Sequence, residues 1–426
     1  MLNLIGVIVA FIVIIFLIRK KFNFGLSLII GSLIVGIFSL QQIQTIDIVK
    51  GIIEATFYLF ETNQIYTDTI ELALLMTMIY ILARLMQETQ AINKIIESLR
   101  PIFSRGGILG IIPALYGLMP VPGGALFSAP LVDEEGEKYK LNNNQKNFLN
   151  VWFRHIWFPI YPISSAMILL CSIEFSDIEI YSLILINIPA FITSILIGSF
   201  YLKKFLRKYQ YEKEIKNINQ DLKGLKFLFP PIIPLLTYAV LWIFGISQIR
   251  AFLVGIIFSL ISIYFLVNIS FKKFLSLIKK SVTIKLALAI FGIMIFRQMI
   301  SVSQADLLIA DLIKSLNIPV IFIVVTIPLI LGVLTGYNLG AIALSYPIVS
   351  PFFPQPIDNI TIIGFTSLIF ISSLIGYLVS PIHLCNVLSS DYLKTDTTRM
   401  YRMYFPSAIA MLFIQIVFVI LIINIF

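Results

Sequence analysis

Residues 153–166 read FRHIWFPIYPISSA, and residues 375–388 read IGYLVSPIHLCNVL. Each stretch lies in a long apolar run that proline interrupts, and Pro159 corresponds to Pro381 when the two stretches are aligned. A proline inside a helix removes a backbone hydrogen bond and kinks or breaks the helix. The two stretches therefore predict two broken helices, one in each half of the chain.

The composition of the chain excludes a soluble globular protein. The 426 residues are 59% hydrophobic and only 12% charged, whereas soluble domains carry about 25% charged residues. The net charge of +9 does not indicate nucleic-acid binding, because the basic residues separate long apolar runs and share no polar face with aromatic residues. The sequence therefore predicts an all-α polytopic membrane protein.

Ten apolar runs are long enough to cross roughly 30 Å of hydrocarbon as helices. They are residues 2–18, 22–40, 71–87, 148–172, 178–202, 227–247, 251–269, 283–302, 361–388 and 406–426. If the basic cluster 19–21 is cytoplasmic, 25 of the 31 basic residues fall in cytoplasmic loops, as the positive-inside rule requires. We therefore expect a multi-pass protein of the cell (plasma) membrane with both termini outside.

Two further apolar stretches, residues 107–132 and 318–349, are interrupted by MPVPGG at 119–124 and by LTGYNLG at 334–340. If either stretch crossed the membrane, the distribution of basic residues downstream would be inverted. We therefore expect two re-entrant hairpins, the first entering from the cytoplasm and the second from outside. Unpaired backbone at such turns is tolerated only where it is buried in protein or lines a wet cavity.

The two hairpins match at a constant offset of 217 positions. Gly123, Ser128 and Pro130 correspond in this way to Gly340, Ser345 and Pro347. By the loop charges, the preceding spans, which end near Arg84 and Arg297, run in opposite directions. The sequence therefore predicts two inverted repeats, residues 1–202 and 227–426, each with five spans and one hairpin. The basic segment 203–226 is the predicted cytoplasmic linker.

Inverted repeats bring their broken elements together near the bilayer midplane, where helix ends offer unpaired N–H and C=O groups. The predicted substrate-binding residues are those around the breaks: Pro122, Gly123, Gly124, Ser128, His155, Tyr161, Ser164, Thr335, Gly336, Tyr337, Asn338, Gly340, Ser345, His383 and Asn386. The residues predicted to take part in ion coupling are Pro120, Gly123, Ser165, Thr335, Asn338 and Ser380. No catalytic residue is predicted.

The two histidines of the chain, His155 and His383, lie one in each broken span. His383 follows Pro381 and is expected to line the site, whereas His155 is either a site residue or an interfacial residue beside Arg154. The same alternatives apply to Arg154, for which a snorkelling anchor is the favoured interpretation. Cys385 has no second cysteine or carboxylate near it in the chain, so no metal site is expected.

The residue types in the predicted site favour an anion. No Asp or Glu lies at the centre of a span, so a cationic substrate would have no counter-charge. Glycine-rich turns, hydroxyls, imidazoles and helix N-termini are typical of anion sites. The prediction is a secondary active transporter of a small anionic solute, coupled to a sodium or proton gradient. Its expected partners are that anion and the lipid bilayer, without nucleic acid and without a cofactor other than coupling sodium ions.

Two alternatives remain open, a flippase of a lipid-linked anion and an intramembrane enzyme acting on a lipid. A flippase would use the same site with a lateral opening. An enzyme would need catalytic groups, and the chain has neither an HExxH nor a GxSxG motif. We therefore expect no enzymatic activity.

Two halves that each carry a hairpin followed by a proline-broken span resemble the ion transporter superfamily, which includes divalent-anion/sodium symporters, gluconate and citrate permeases and arsenite permeases. The motifs MPVPGGALFSAP, NVWFRHIWFPIYP and SPIHLCNVL are similar to an uncharacterised archaeal and bacterial branch, grouped under a domain of unknown function. The resemblance implies a homodimer in which a transport domain moves like an elevator against a fixed scaffold.

In such transporters the hairpin turns and broken spans carry substrate and sodium. The resemblance transfers these roles to residues 120–128, 159–165, 335–345 and 380–386. The Ser-Asn-Thr triplets with which dicarboxylate symporters bind carboxylates are absent here, and VPGG and TGYN stand in their place. Dicarboxylate specificity is therefore not implied.

Overall fold

A computed structural model of the chain describes residues 2–103, 106–118, 123–207, 222–315, 317–354 and 356–425. Nearly all regular structure in these residues is helical. One short antiparallel hairpin, Tyr58–Leu59 (β1) paired with Gln64–Ile65 (β2), supplies the strands of the described part. The predicted all-α class is confirmed.

The first half contains eleven α-helices in the described residues. They are α1 Leu2–Arg19, α2 Phe24–Phe38, α3 Thr45–Glu54, α4 Asp68–Glu88, α5 Ala91–Leu99, α6 Ile108–Gly117, α7 Ala125–Glu137, α8 Asn143–His155, α9 Ser165–Cys171, α10 Ile180–Ile186 and α11 Ile188–Leu206. A short 3₁₀ helix, Phe158–Ile160, lies between α8 and α9.

The second half contains ten α-helices in the described residues. They are α12 Phe229–Trp242, α13 Gln248–Val267, α14 Phe271–Ser281, α15 Ile284–Val302, α16 Ala305–Ser315, α17 Val320–Thr335, α18 Asn338–Val349, α19 Asn359–Val379, α20 Leu384–Leu393 and α21 Thr397–Ile425. Two 3₁₀ helices, Leu222–Leu228 and Ser350–Phe352, precede α12 and follow α18.

Eight helical segments in the described residues are long and apolar enough to cross a membrane. They are Leu2–Arg19, Asp68–Glu88, Ile188–Leu206, Leu222–Trp242, Gln248–Val267, Ile284–Val302, Asn359–Leu393 and Thr398–Ile425. Large apolar side chains cover their outer surfaces, as on α1, where Ile8, Ile12 and Phe16 are 57–62% exposed. The chain is therefore a multi-pass membrane protein.

The other two predicted spans differ from single long helices. The run 22–40 forms α2, which has 15 residues and extends about 22 Å. The helix begins at Phe24, because the side-chain oxygen of Asn23 accepts a hydrogen bond from the amide of Leu26 and caps the N-terminus. The run 148–172 is divided into α8, the 3₁₀ helix and α9. The division confirms the break predicted from the prolines of this segment.

Two helices of the first half pack against two helices of the second half. Helix α2 packs on α15, and α4 packs on α13. The first pair is in backbone contact, since a Cβ on Gly25 would lie 2.1 Å from the carbonyl oxygen of Leu288 and one on Gly292 would lie 2.4 Å from that of Gly25. Small residues at such crossings are typical of membrane helix pairs. The opposite orientation of the halves stays a prediction from the loop charges.

The two interrupted stretches form helical hairpins. Helix α6 packs on α7, and α17 packs on α18. The longest of the four, α17, has 16 residues and extends about 24 Å, less than the hydrocarbon thickness. The turn between α17 and α18 contains Gly336 in the left-handed region, φ +60°. The turn of the first hairpin includes residues 119–122, which lie outside the described residues together with 208–221 of the predicted linker.

The core lies around α8, α18 and α19. All twelve residues of α18 are buried, as is the segment 146–155 of α8. Helix α19 packs on α17, α18 and α21, and α8 packs on α6, α7 and α20. The two broken helices therefore lie inside the protein, where polar side chains can face each other away from lipid.

Candidate functional site at the crossing of the broken helices

The breaks of the two broken helices lie side by side. The first follows His155 at the end of α8, and the second separates α19 from α20 at residues 380–383. The ring centroids of His155 and His383 are 4.9 Å apart, and the ring of Tyr377 lies 4.0 Å from that of His383. The fold thus brings together the two histidines that the sequence singled out.

His155 is held in a defined orientation. Its side chain is buried, and Nδ1 lies 2.6 Å from the carbonyl oxygen of Val151. Because a carbonyl oxygen can only accept, Nδ1 carries the hydrogen in the neutral ring. The lone pair therefore resides on Nε2, which is 3.3 Å from the hydroxyl of Tyr377. His155 is a residue of the crossing and not of the membrane interface.

His383 is fully buried and lies at the N-cap position of α20. Neither of its ring nitrogens has a hydrogen-bond partner in the part of the chain that the structure describes. A buried polar group without a partner costs roughly 1–3 kcal/mol, so proteins rarely keep one without a functional reason. His383 is therefore the side chain at the crossing that is best placed to take an external ligand.

Cys385 belongs to the same group, although no sequence pattern pairs it with His155. It is the second residue of α20 and is buried. One ligand atom from each of His155, His383 and Cys385 can be chosen so that all three lie within 4.8 Å of one another. The expectation of no metal site considered only neighbours along the chain, and the fold adds an imidazole from the other half.

Arg154 is buried at the turn of the first hairpin and is not a snorkelling anchor. Its exposed fraction is 2%, and its Nη1 donates a hydrogen bond of 2.7 Å to the carbonyl of Tyr116 near the end of α6. A Cβ on Gly124 would lie 2.0 Å from Nη2. The guanidinium thus occupies the space that a side chain at position 124 would need. The anchor interpretation fails because residues 146–155 of α8 are buried and Arg154 lies in this buried part of the helix.

The first hairpin is tied to both broken helices by a buried hydrogen-bond network. Ser128 on α7 donates to Oδ1 of Asn150 on α8 at 2.6 Å. Nδ2 of Asn150 donates to Ser389 on α20 at 2.8 Å and to the carbonyl of Ala125 at 3.0 Å. Sequence reasoning missed Asn150 and Ser389, which lie within helices and away from the breaks. Pro120 and Pro122 lie outside the described residues.

Gly123 and Gly336 place both hairpin turns close to the second broken helix. Gly123 has a φ of +69°, and a Cβ on it would lie 2.6 Å from a methyl group of Leu388 on α20. A Cβ on Gly336 would lie 2.7 Å from the side chain of Ile382, in the break itself. Positive φ and close contact each favour glycine at both turns.

Most predicted hydroxyl and amide groups of the second half have hydrogen-bond partners in the backbone or in other side chains. Thr335 donates to the carbonyl of Leu331 at 2.7 Å, and Ser380 donates to that of Val333 at 2.7 Å. Three further contacts involve predicted residues: Asn338 accepts from Ser373 at 2.8 Å, Asn386 donates to Tyr401 at 3.1 Å, and Tyr337 packs its ring on Phe24. The bonds of Ser380 and Asn338 join the second hairpin to the second broken helix, whereas Asn386 and Tyr337 contact α21 and α2.

The remaining predicted residues also contact other groups of the protein. Tyr161 donates to the carbonyl of Leu118 at 2.7 Å, and Ser164 caps α9 by accepting from the amide of Met167. Three others lie on helices: Ser165 is the first residue of α9, Gly340 lies against the ring of Phe24, and Ser345 donates to Ile342 within α18. The side chains that interact with one another at the crossing are therefore those of Arg154, His155, Tyr377, His383 and Cys385.

The comparisons with known proteins place the whole chain in one family. No curated protein matches the sequence. The profile described as "Protein of unknown function (DUF401)" matches residues 2–423, which is nearly the whole length. The chain is therefore a multi-pass membrane protein that belongs to the DUF401 family.

Proposed function

We propose that this protein is a secondary active transporter of a small anionic solute, which binds at the crossing of the broken helices. The observation that carries the proposal is the burial of Arg154 at the turn of the first hairpin, beside His155. A buried guanidinium in a membrane protein is costly and is retained for substrate or ion pathways. A positive charge at such a point favours an anion.

The helix ends around Arg154 support the same substrate charge. Helix α7 begins at Ala125 directly after its N-cap residue Gly124, which lies against the guanidinium, and α20 begins directly after His383. Helix N-termini carry a partial positive charge and unpaired N–H groups, which bind anions. The cluster at the crossing consists of two imidazoles and a thiol, those of His155, His383 and Cys385. In the described part of the chain, it contains no carboxylate.

The broken helices support transport. Discontinuous helices at the interface of two halves are typical of secondary transporters, in which they bind substrate and coupling ions. Ser380 donates a hydrogen bond to the carbonyl of Val333 and Thr335 donates to that of Leu331, so both hydroxyls lie beside backbone carbonyls, groups with which sodium can be coordinated. Asn338 is the first residue of α18, directly after the turn. Resemblance to the ion transporter superfamily extends the proposal to sodium or proton coupling, an elevator motion and a homodimer in the plasma membrane.

The test is uptake into proteoliposomes that contain the purified protein. A panel of radiolabelled small anions is offered with an inward sodium gradient, with an inward proton gradient and with neither. We expect saturable uptake of one anion class that requires one gradient. Gradient-independent, unsaturable flux would contradict the proposal in favour of a channel.

The site is tested with a matched pair of arginine variants. Arg154→Gln removes the buried charge and should abolish uptake. Arg84→Gln removes a partly exposed arginine that pairs with Glu88 at 2.9 Å, and should leave uptake unchanged. If Arg154→Gln folds and transports normally, the solute does not bind at this crossing.

A further inference from the structure

We infer that His155, His383 and Cys385 form a binding site for one soft monovalent metal ion, Cu(I), at the crossing of the broken helices. The ligand atoms are two imidazole nitrogens and one sulfur, within 4.8 Å of one another. All three side chains are at most 3% exposed. Thiolate and imidazole are the ligand types that Cu(I) prefers over hard oxygen donors.

His155 is already arranged as metal-bound histidines are. A ligating histidine usually donates its other ring N–H to a carbonyl or carboxylate, which fixes the tautomer and the ring orientation. Here Nδ1 donates to the carbonyl of Val151, so the lone pair of Nε2 is presented at the crossing. The hydroxyl of Tyr377 occupies the direction of that lone pair at 3.3 Å, and a metal ion would replace it.

His383 supplies the second observation that points to a ligand. It is 0% exposed, and both ring nitrogens lack a hydrogen-bond partner in the described residues. Its ring lies 4.9 Å from that of His155 between centroids. Coordination would satisfy one nitrogen of an otherwise unpaired group.

The three ligand atoms would have to move only slightly closer together to bind one ion. In a trigonal site with metal–nitrogen bonds of about 2.0 Å and a metal–sulfur bond of about 2.3 Å, the ligand atoms are roughly 3.5–3.7 Å apart. The group in the structure spans up to 4.8 Å. The difference of about 1 Å is within the reach of side-chain rotation about the staggered torsions of His383 and Cys385.

The charge of the surroundings selects a monovalent ion. The metal binds the thiolate of Cys385, so one Cu(I) makes the site neutral. Arg154 acts electrostatically on Cys385 from α8, and no carboxylate joins the group of ligands in the described residues. A divalent ion would leave a net positive charge beside a guanidinium in the membrane interior. Zn(II) usually completes its tetrahedral geometry with a fourth ligand, a side chain or a water molecule, whereas this buried group offers three side-chain ligands in the described residues.

This inference goes beyond the proposed transport of an anion and does not depend on it. Metal binding is measured on purified protein in detergent, without a gradient or a substrate, so either proposal can fail alone. The ligands come from α8 in the first half and from the start of α20 in the second half. A bound ion would therefore join the two broken helices and stabilise the folded protein by mass action.

The experiment titrates the full-length reduced protein with Cu(I) under anaerobic conditions, in competition with the chromogenic chelator bicinchoninate. We expect one Cu(I) per chain. Cys385→Ser should weaken binding by at least about 100-fold, since loss of outer partners alone costs 10- to 100-fold. Cys171→Ser is the matched control, because Cys171 is the other cysteine of the chain and is also buried, and it should bind as the wild type does.

X-ray absorption of the wild-type protein keeps the test independent of the folding of any variant. We expect one sulfur and two nitrogen neighbours of copper. Binding that survives Cys385→Ser in a folded protein, copper bound by sulfur alone, absence of stoichiometric binding, or displacement of Cu(I) by an equal concentration of Zn(II) would overturn the inference.

Discussion

The imidazole of His155 faces that of His383 edge to face, with 4.9 Å between the ring centroids and 68° between the ring planes. The two rings differ in their polar contacts. His155 uses both nitrogens, toward Val151 and Tyr377, whereas His383 uses neither in the described part of the chain. The pair therefore combines an oriented group with a group kept available, and this difference can be tested by stability measurements.

Replacing His383 by an apolar residue should not destabilise the protein. Removal of an unpaired buried polar group avoids a cost of roughly 1–3 kcal/mol. We expect His383→Leu to raise or preserve the Tm in detergent while solute uptake is lost. His155→Leu is the comparison, since it removes the hydrogen bond of the imidazole to the carbonyl of Val151 and should lower the Tm. Equal losses of Tm in both variants would show that His383 has a structural partner.

Substituting Gly124 should act through Arg154. A Cβ at position 124 would lie 2.0 Å from Nη2 of Arg154, so Gly124→Ala must displace the guanidinium. We expect Gly124→Ala to abolish uptake, and to destabilise the protein in the wild-type background only. In an Arg154→Ala background the space is open, and the additional loss of stability should fall to within about 0.5 kcal/mol. A full additional loss in the double variant would place the clash elsewhere.

The network around Asn150 should be a major source of stability. Asn150→Ala leaves Ser389 without its present partner and removes one of two partners from Ser128 and from the carbonyl of Ala125. Each unsatisfied buried group costs roughly 1–3 kcal/mol, so the free energy of unfolding should fall by more than about 2 kcal/mol. Asn424→Ala, at an exposed asparagine near the end of α21, should change it by less than about 0.5 kcal/mol. Similar effects of both substitutions would contradict the assignment.

The start of α19 should give a defined acid dependence. Hydrogen bonds from the hydroxyl and the amide of Thr361 lower the pKa of Asp358 from its usual 3.8. Because the pKa is lower in the folded state, the contribution to stability is complete above the unfolded pKa and is lost as the pH falls through the folded pKa. Asp358→Asn keeps a good cap. Its Tm difference from the wild type should therefore shrink as the pH is lowered from neutral to below 3.8; a constant difference would contradict the linkage.

The inverted orientation of the halves can be tested at two matched positions, one in each half. Lys50 lies on α3, before the long helix α4, and Lys272 lies on α14, before the long helix α15. Both positions are exposed. In intact cells, a membrane-impermeant thiol reagent should label Lys50→Cys and not Lys272→Cys. The wild-type cysteines are buried and serve as the unlabelled control. Labelling of both positions would show parallel halves.

Local sequence features predicted the breaks well. Prolines and glycines at 119–124, 334–340, 159–162 and 381 predicted ends of helices, although single prolines such as Pro130 and Pro347 lie inside α7 and α18. The repeat then made the approach of His155 to His383 foreseeable. These features depend on chain-local geometry and on symmetry, both of which can be read from one sequence.

The parts that the sequence did not predict depend on packing between distant segments. Arg154 appeared to be an anchor, because its position near the end of an apolar run is compatible with a lipid interface. Asn150 and Ser389 appeared to be ordinary helix residues, and Cys385 appeared isolated. Their roles follow from the burial of residues 146–155 of α8 against α6, α7 and α20, among other helices, which no periodicity within α8 indicates.

The enclosure of α8 also restricts its alignment along the chain. Asn150 bonds to the hairpin and to α20 from one point of the helix, and Arg154 and His155 face the crossing one turn later. Each residue of an α-helix is rotated by about 100° from the one before it. A single residue inserted between Asn150 and Arg154 would turn the charged end away from its surroundings while the network stayed in place. The number of residues between Asn150 and Arg154 is therefore as important to the site as the identity of the two side chains.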